Sequence, residues 1–265
     1  MGNQSEIITA YGTFKVTKSC PEEKDAPIVI FFHGFPDDSN VWDYQIEALK
    51  TQFETWVPDL YLHSFQDQKR GMISQLESHA VGRKVILVGH DMGGPLASEI
   101  AREHPELVSK LLLINTLSIR QFIGRWKRPG QWMKSLYMPL FAGPLYETNW
   151  WKPAGKLLLK KAYDKGGLDK DDPIRNNSLN VLEGINRYRE LARELPMHVL
   201  EMGLRLQTET HFLHGMNDPF IVTPDPDELS RYFSNVTLEL LPTGHWPQRT
   251  CAMEVNNWIK KVING

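Results

Sequence analysis

Val88-Gly89-His90-Asp91-Met92-Gly93-Gly94 (VGHDMGG, 88–94) follows the apolar run KVILVGH (84–90) and opens a helix-period stretch, GGPLASEIAREHPELV (93–108). A strand that turns this abruptly into a helix needs small residues two before and two after its apex, because a side chain at either place would collide with neighbouring backbone. Gly89 and Gly93 stand at those places and put Asp91 at the apex. Backbone N–H groups at the start of a helix favour an anion, so a carboxylate here occupies a ready-made oxyanion environment. Asp is also a favoured helix N-cap, and capping is the alternative reading of Asp91.

Around this turn the first 118 residues alternate short apolar runs with amphipathic stretches, the pattern of β/α units that build a mostly parallel sheet. PIVIFF (27–32), FETWVPDL (53–60), KVILVGH (84–90) and KLLLIN (110–115) read as buried strands closed by turn-forming residues. EIITAYG (6–12) and TFKVTK (13–18) alternate instead, which predicts an antiparallel hairpin at a sheet edge. From 119 to 207 the strand patterns stop, and KLLLKKAY and MHVLEMGLRL have helical spacing. Strand patterns return at ETHFLHG (209–215) and VTLELL (236–241), and CAMEVNNWIKKVI (251–263) closes as an amphipathic helix. The expected organisation is a core formed by 1–118 and 208–265, interrupted by a helical cap at 119–207.

Composition narrows the partners. The 265 residues are 41% hydrophobic and 23% charged, enough for one core with an insertion. With 30 basic and 32 acidic residues scattered along the chain and a net charge of -2, no basic footprint for nucleic acid or a membrane surface is present. Cys20 and Cys251 lie far apart and outside any metal-ligand spacing, as structural thiols of a reducing compartment do. MGNQSE lacks a secretory pattern, and no uninterrupted apolar run is long enough for a membrane span. A cytoplasmic protein acting on a small molecule is expected, with no bound cofactor or metal.

Further strand ends supply partners for Asp91. His33-Gly34-Phe35-Pro36 closes PIVIFF, and the N–H of Phe35 with that of Met92 would make two donors for an oxyanion. His33 reads as a structural residue under that loop, and Pro36 raises the question of a cis bond. His214-Gly215-Met216-Asn217-Asp218 and Thr243-Gly244-His245-Trp246-Pro247 follow the last two strands, at the sheet end where open α/β folds place their sites. Asp91, Asp218 and His245 thus run in the chain order nucleophile, acid, base. Asp225 and Asp227 read as loop residues rather than as the acid.

HGFPD, GHDMGG, HGMNDPF and TGHWPQ resemble the signature segments of the epoxide hydrolase and dehalogenase branch of the α/β-hydrolase superfamily, a likeness that extends over nearly the whole chain. It implies an α/β-hydrolase fold, with a mostly parallel sheet of about eight strands flanked by helices and a cap inserted after KLLLIN. It also implies Asp91 as nucleophile, Asp218 as the acid orienting His245, and His245 as the base that activates water. Esterases and lipases of the superfamily carry Ser at this apex, and no G-x-S-x-G occurs in the chain. Within the branch, haloalkane dehalogenases place Trp after the nucleophile and Asn at the position of Phe35; here Met92 follows Asp91, so both halide donors are missing.

Epoxide hydrolases of the branch project two cap tyrosines toward the epoxide oxygen, and Asn186-Arg187-Tyr188-Arg189 and KSLYMPLF (134–141) nominate Tyr188 and Tyr137. Tyr146 and Tyr163 are possible substitutes, and Arg187 departs from the family's Trp. Trp150 and Trp151 are candidates for lining the substrate pocket, whereas LLLKK (157–161) reads as a solvated helix face. The reading is a hydrolase that opens a small apolar epoxide with water, as a monomer or homodimer. A haloalkane or haloacid dehalogenase, and a non-catalytic ligand-binding member of the fold, are the alternatives.

Overall fold

The computed structural model describes residues 3–9, 12–19, 26–60, 64–80, 82–125, 129–134, 151–176 and 204–265. Eight strands form one sheet: β1 (Asn3–Thr9), β2 (Gly12–Ser19), β3 (Ile28–Phe32), β4 (Glu54–Pro58), β5 (Val85–His90), β6 (Lys110–Ile114), β7 (Glu209–Gly215) and β8 (Val236–Leu241). Their order across the sheet is β1-β2-β4-β3-β5-β6-β7-β8. The hairpin read from EIITAYG and TFKVTK forms the antiparallel edge, with Ile7 opposite Phe14. β2 runs antiparallel to β4, and every other neighbouring pair is parallel.

Burial on both faces explains the unbroken apolar strands. Side chains alternate sides along a strand, so Ile28, Ile30 and Phe32 of β3 enter one core layer and Val29 and Phe31 the other. Leu87, Leu111 and Leu113 join the first layer, and Ile86, Val88, Leu112 and Ile114 the second. Each such side chain contributes roughly 1.5–3 kcal/mol on burial. β8 is the opposite edge strand, and there burial gives way to partly exposed positions.

Helices cover both faces. Between strands run α1 (Asp43–Leu49), α2 (Phe65–His79) and α3 (Gly93–Glu103). The helical pattern that began at Gly93 stops short of Val108: Pro105 disfavours helical backbone in the residue before it, and His104 leaves the helix at φ -130°, ψ 60°. After β6 come α4 (Ile119–Arg125), α5 (Pro129–Lys134) and α6 (Trp151–Lys165), and the chain returns to the sheet at β7. The last two helices are α7 (Pro226–Tyr232) and α8 (Ala252–Asn264), with a single helical turn, Pro247–Thr250, before α8. Asp225, expected in a loop, caps α7 by accepting from Glu228 N at 2.8 Å, and Asp227 lies in its first turn. No helix among the described residues is long and apolar enough to cross a membrane.

Two buried ion pairs tie the segment between β6 and β7 to later parts of the chain. Arg125 of α4 meets Glu228 of α7, with Nη2 to Oε2 at 2.9 Å. Arg249 donates to both oxygens of Asp172, at 3.0 and 2.9 Å. Removing one partner of such a pair costs about 3–5 kcal/mol, because a buried charge is left uncompensated. Tyr137, Trp150 and Tyr188, most of MHVLEMGLRL and Cys20 lie outside the described residues, and Trp151 is described only as the first residue of α6.

Candidate active site

Parallel pairing aligns the carboxyl ends of the central strands, so the loops after β3, β5, β6, β7 and β8 meet along one end of the sheet. At the end of β5 the chain turns through Asp91 at φ 47°, a left-handed conformation that costs a non-glycine residue about 1–2 kcal/mol. The strain is held by close packing. A Cβ on Gly89 would lie 2.7 Å from Gly94 Cα, and one on Gly93 would lie 2.2 Å from the Phe32 carbonyl oxygen. Both glycines read as obligatory from the sequence therefore are. Thr116 Oγ1 donates to the Asp91 carbonyl at 2.6 Å and fixes the turn from the β6 side.

Helix capping does not account for Asp91. The N-cap of α3 is Met92, with no side-chain capping bond, while the Asp91 carboxylate points back across the sheet end. Its Oδ1 accepts from Phe35 N at 2.9 Å, and its Oδ2 lies 3.5 Å from His245 Nε2. Gly34 permits this approach, since a Cβ there would fall 2.3 Å from Asp91 Cβ. The Phe35–Pro36 bond is cis. His33 is structural: its Nε2 accepts from Leu60 N at 3.0 Å beneath the loop.

His245 joins the two carboxylates. Its Nδ1 lies 2.8 Å from Asp218 Oδ2, so the ring presents Nε2 to Asp91. Asp218 is buried, and its Oδ1 accepts from Phe220 N at 2.7 Å and Ile221 N at 3.0 Å. Asn115 is a partner that the sequence reading missed. Sitting at φ 41° just past β6, it donates Nδ2 to Asp218 Oδ2 at 2.7 Å and accepts from Gly215 N at 3.0 Å. An Asn directly after a buried strand was the available signal, because Asn tolerates left-handed backbone. Gly166 was also missed. Its carbonyl accepts from His245 N at 2.9 Å, and a Cβ on it would enter the Trp246 ring, so the end of α6 packs directly on the His245 loop.

Burial and charge set the protonation states. Burial by itself would strip the proton from His245, but Asp218 and then Asp91 outweigh it and raise its pKa to about 10. Burial would raise both carboxylates, and it is overcome at each: by His245 and Asn115 at Asp218, and by His245 and the Phe35 N–H at Asp91. Both are held below the ordinary carboxylate range. At neutral pH the cluster is an imidazolium between two carboxylates.

Beneath it lies Asp37, fully buried, whose Oδ2 accepts from Trp246 Nε1 at 2.9 Å while Oδ1 has no hydrogen-bond partner among the described residues. Desolvation pushes its pKa from 3.8 up to about 7. The folded protein therefore keeps a proton there that the unfolded chain loses, so Asp37 progressively destabilises the fold as pH rises from about 4 to about 7. Asp37→Asn retains the acceptor for Trp246 and removes this penalty. Thermal melts are expected to show the variant level with the parent at pH 4 and above it at pH 8; an equal offset at both values would sink the assignment.

A cavity of about 250 Å³ opens over Asp91 and His245, lined by Phe35, Pro36, Phe220, Trp246 and the α6 residues Leu158, Leu159, Lys161, Ala162 and Lys165. LLLKK, read as a solvated face, thus supplies part of the cavity wall. Tyr163, named as a possible substitute, does not line this cavity: it is buried against Trp246, ring centroids 5.1 Å apart, and burial raises its hydroxyl pKa above the ordinary tyrosine value, while Tyr146 lies outside the described residues. Among the described residues no group of three or more His, Cys, Asp or Glu side chains is arranged to hold a metal.

A carboxylate reachable from a largely apolar cavity, with an N–H on one oxygen and an oriented imidazole near the other, can attack carbon and have its ester cleaved in place. Comparisons with known proteins identify the fold family. A family model described as the alpha/beta hydrolase fold matches residues 27–250. Epoxide hydrolase 3 of Mus musculus is 26% identical over 261 residues, covering 89% of this chain and 70% of that protein. Epoxide hydrolase 4 of Homo sapiens is 27% identical over 270 residues, covering 89% and 72%. The crystal structure of an epoxide hydrolase from Bacillus megaterium superposes with a TM-score of 0.79 over 98% of this chain and all of that one; at 23% identity this is a likeness of fold.

Proposed function

Because the chain belongs to the α/β-hydrolase fold family, with an aspartate where a serine nucleophile would stand, we propose that it hydrolyses an epoxide to a vicinal diol through an ester on Asp91. The observation that carries the reading is the Asp91 carboxylate at a strained apex, between the Phe35 N–H at 2.9 Å and His245 Nε2 at 3.5 Å. A serine there would suit acyl transfer; a carboxylate suits displacement at saturated carbon, since the alkyl ester it forms is open to water. Attack by an Asp91 oxygen breaks a ring C–O bond, and the released alkoxide takes a proton from a cap tyrosine. Tyr188 and Tyr137 are assigned this role on family resemblance.

The second half reverses the charge balance. Esterification removes the negative charge of Asp91, one of the two that hold the proton on His245. The ring can then release that proton through solvent to the tyrosinate left by ring opening and take one from water, which it returns to the departing diol oxygen, while Asp218 keeps it oriented. Hydroxide adds to the Asp91 carbonyl carbon, Phe35 and Met92 N–H groups stabilise the oxyanion, and the diol leaves with the original Asp91 oxygen. A small organic epoxide and water are thus the reactants.

Displacement of halide is less well served. Trp246, the tryptophan lining the cavity among the described residues, commits its N–H to Asp37 at 2.9 Å. The route is tested by one turnover in ¹⁸O-water with enzyme in excess: the diol is expected to be unlabelled and the label to reside on Asp91. Label in the diol from the first turnover would mean direct attack by water.

A further inference from the structure

On α6 the residues that face the cavity are Leu158, Leu159, Lys161, Ala162 and Lys165, spaced along one helical stripe. Phe35, Pro36, Phe220 and Trp246 make the rest of the wall largely apolar, and Asp91 and His245 lie at the floor. Lys161 and Lys165 are four apart, so their ammonium groups share a face and repel each other. No carboxylate pairs with either among the described residues; Asp164, between them in sequence, is bound to Arg175 instead. A third cation stands close by. Lys134 at the end of α5 donates to the carbonyls of Asp218 at 2.6 Å and Ile221 at 3.2 Å, flanking Phe220 in the cavity wall. Its pKa is drawn down, by burial first and also by the charge of Lys165.

We propose that Lys161 and Lys165 form an anion-binding rim, so that the epoxide taken by this site carries a negatively charged group, such as a carboxylate, at the end remote from the ring. This rests on the epoxide reading of Asp91 and specifies its substrate class. Physical reasons support the orientation. At the floor two carboxylates, Asp91 and Asp218, outnumber the single His245 imidazolium and repel an anionic end, while the two ammonium groups attract it at the mouth, so the charges at opposite ends point the ring inward. The apolar wall between them accepts a hydrocarbon linker. The attraction acts at a solvated rim and is screened by salt.

The test separates recognition from chemistry. Octanoate and octanamide, which carry no epoxide, are titrated into the full chain by calorimetry at pH 7 and low salt. Octanoate is expected to bind about tenfold more tightly, the sum of two exposed charge contacts, with the gap narrowing on addition of salt. In K161Q/K165Q the ratio should fall to about one, while Lys160→Gln, outside the cavity lining, should keep it. A ratio near one in the parent, or one that survives the double replacement, overturns the proposal. In a second arm, kcat/KM is compared for an epoxide-ended octanoate and its amide, with the same ratio expected. If neither epoxide reacts while octanoate still outbinds octanamide through the lysines, the epoxide reading fails and the anionic rim stands.

Discussion

His245→Gln is expected to let the first half-reaction proceed and to stall the second, so that protein exposed to an epoxide gains the mass of one substrate molecule on Asp91. The nucleophile keeps the Phe35 N–H at 2.9 Å and does not need the imidazole to attack. Ester cleavage does need it, because no other described group in the cavity wall is placed to deprotonate water beside the Asp91 carbonyl. Loss of a positioned general base slows a step about 10²–10⁴-fold, which is enough for intact-protein mass spectrometry to catch the ester after minutes. Removing the imidazolium also removes a charge that keeps Asp91 ionised against burial. The experiment is therefore best run near pH 8, where the carboxylate remains available. Normal turnover by this variant, with no added mass, would show that His245 does not activate water.

Asp91→Ala is expected to abolish turnover, with kcat/KM lower by at least about 10⁴, the scale of losing a covalent nucleophile. Asp91→Ser should fare no better, although the fold commonly carries serine at this apex. An oxygen of serine that opened an epoxide would leave an ether, which water cannot cleave at a carbonyl, so one equivalent would inactivate the protein at most. Both variants are checked by thermal melts, since the apex is strained at φ 47° and a change there acts on the fold as well as on the chemistry. Retained steady-state turnover in either variant, with the melt unchanged, would refute the covalent route.

The protonation states qualify the pH behaviour of both experiments. His245 gains its proton affinity on folding, with a pKa raised from 6.5 to about 10. That contribution to stability is whole below about pH 6.5 and is lost as pH rises through 10, whereas Asp37 destabilises the fold between about pH 4 and 7. The two trends fall in separate windows. Stability assays of the variants need the same pH as the activity assays they accompany.

Most of the sheet was legible because its central strands are buried on both faces, which leaves unbroken runs such as IVIFF and VILVGH that few other elements produce. The turn at Asp91 was legible because two glycines have no freedom to be anything else: the Gly93 position lies against the Phe32 carbonyl. Asn115 was legible only as the residue that closes KLLLIN, and Gly166 not at all. Neither lies in a motif, and each acts through a partner distant in sequence, Asn115 on Asp218 and Gly166 on His245. Asp37 was visible only as the last letter of HGFPD; its unusual proton affinity comes from burial, which neighbours in three dimensions create.

By itself the sequence determined the strand order of chemistry: a carboxylate at a glycine-flanked apex, an acid after the next-to-last strand and a histidine after the last. Those features are local, set by what a tight turn or a buried strand permits. Tertiary structure alone decided that Asp91 faces Phe35 N–H and His245 instead of capping α3, that Tyr163 packs inward, and that Lys161 and Lys165 border the cavity. Helical spacing places residues on a face but does not say what that face meets. The pairing of parallel strands and the close contact of Gly166 with the His245 loop supply that answer.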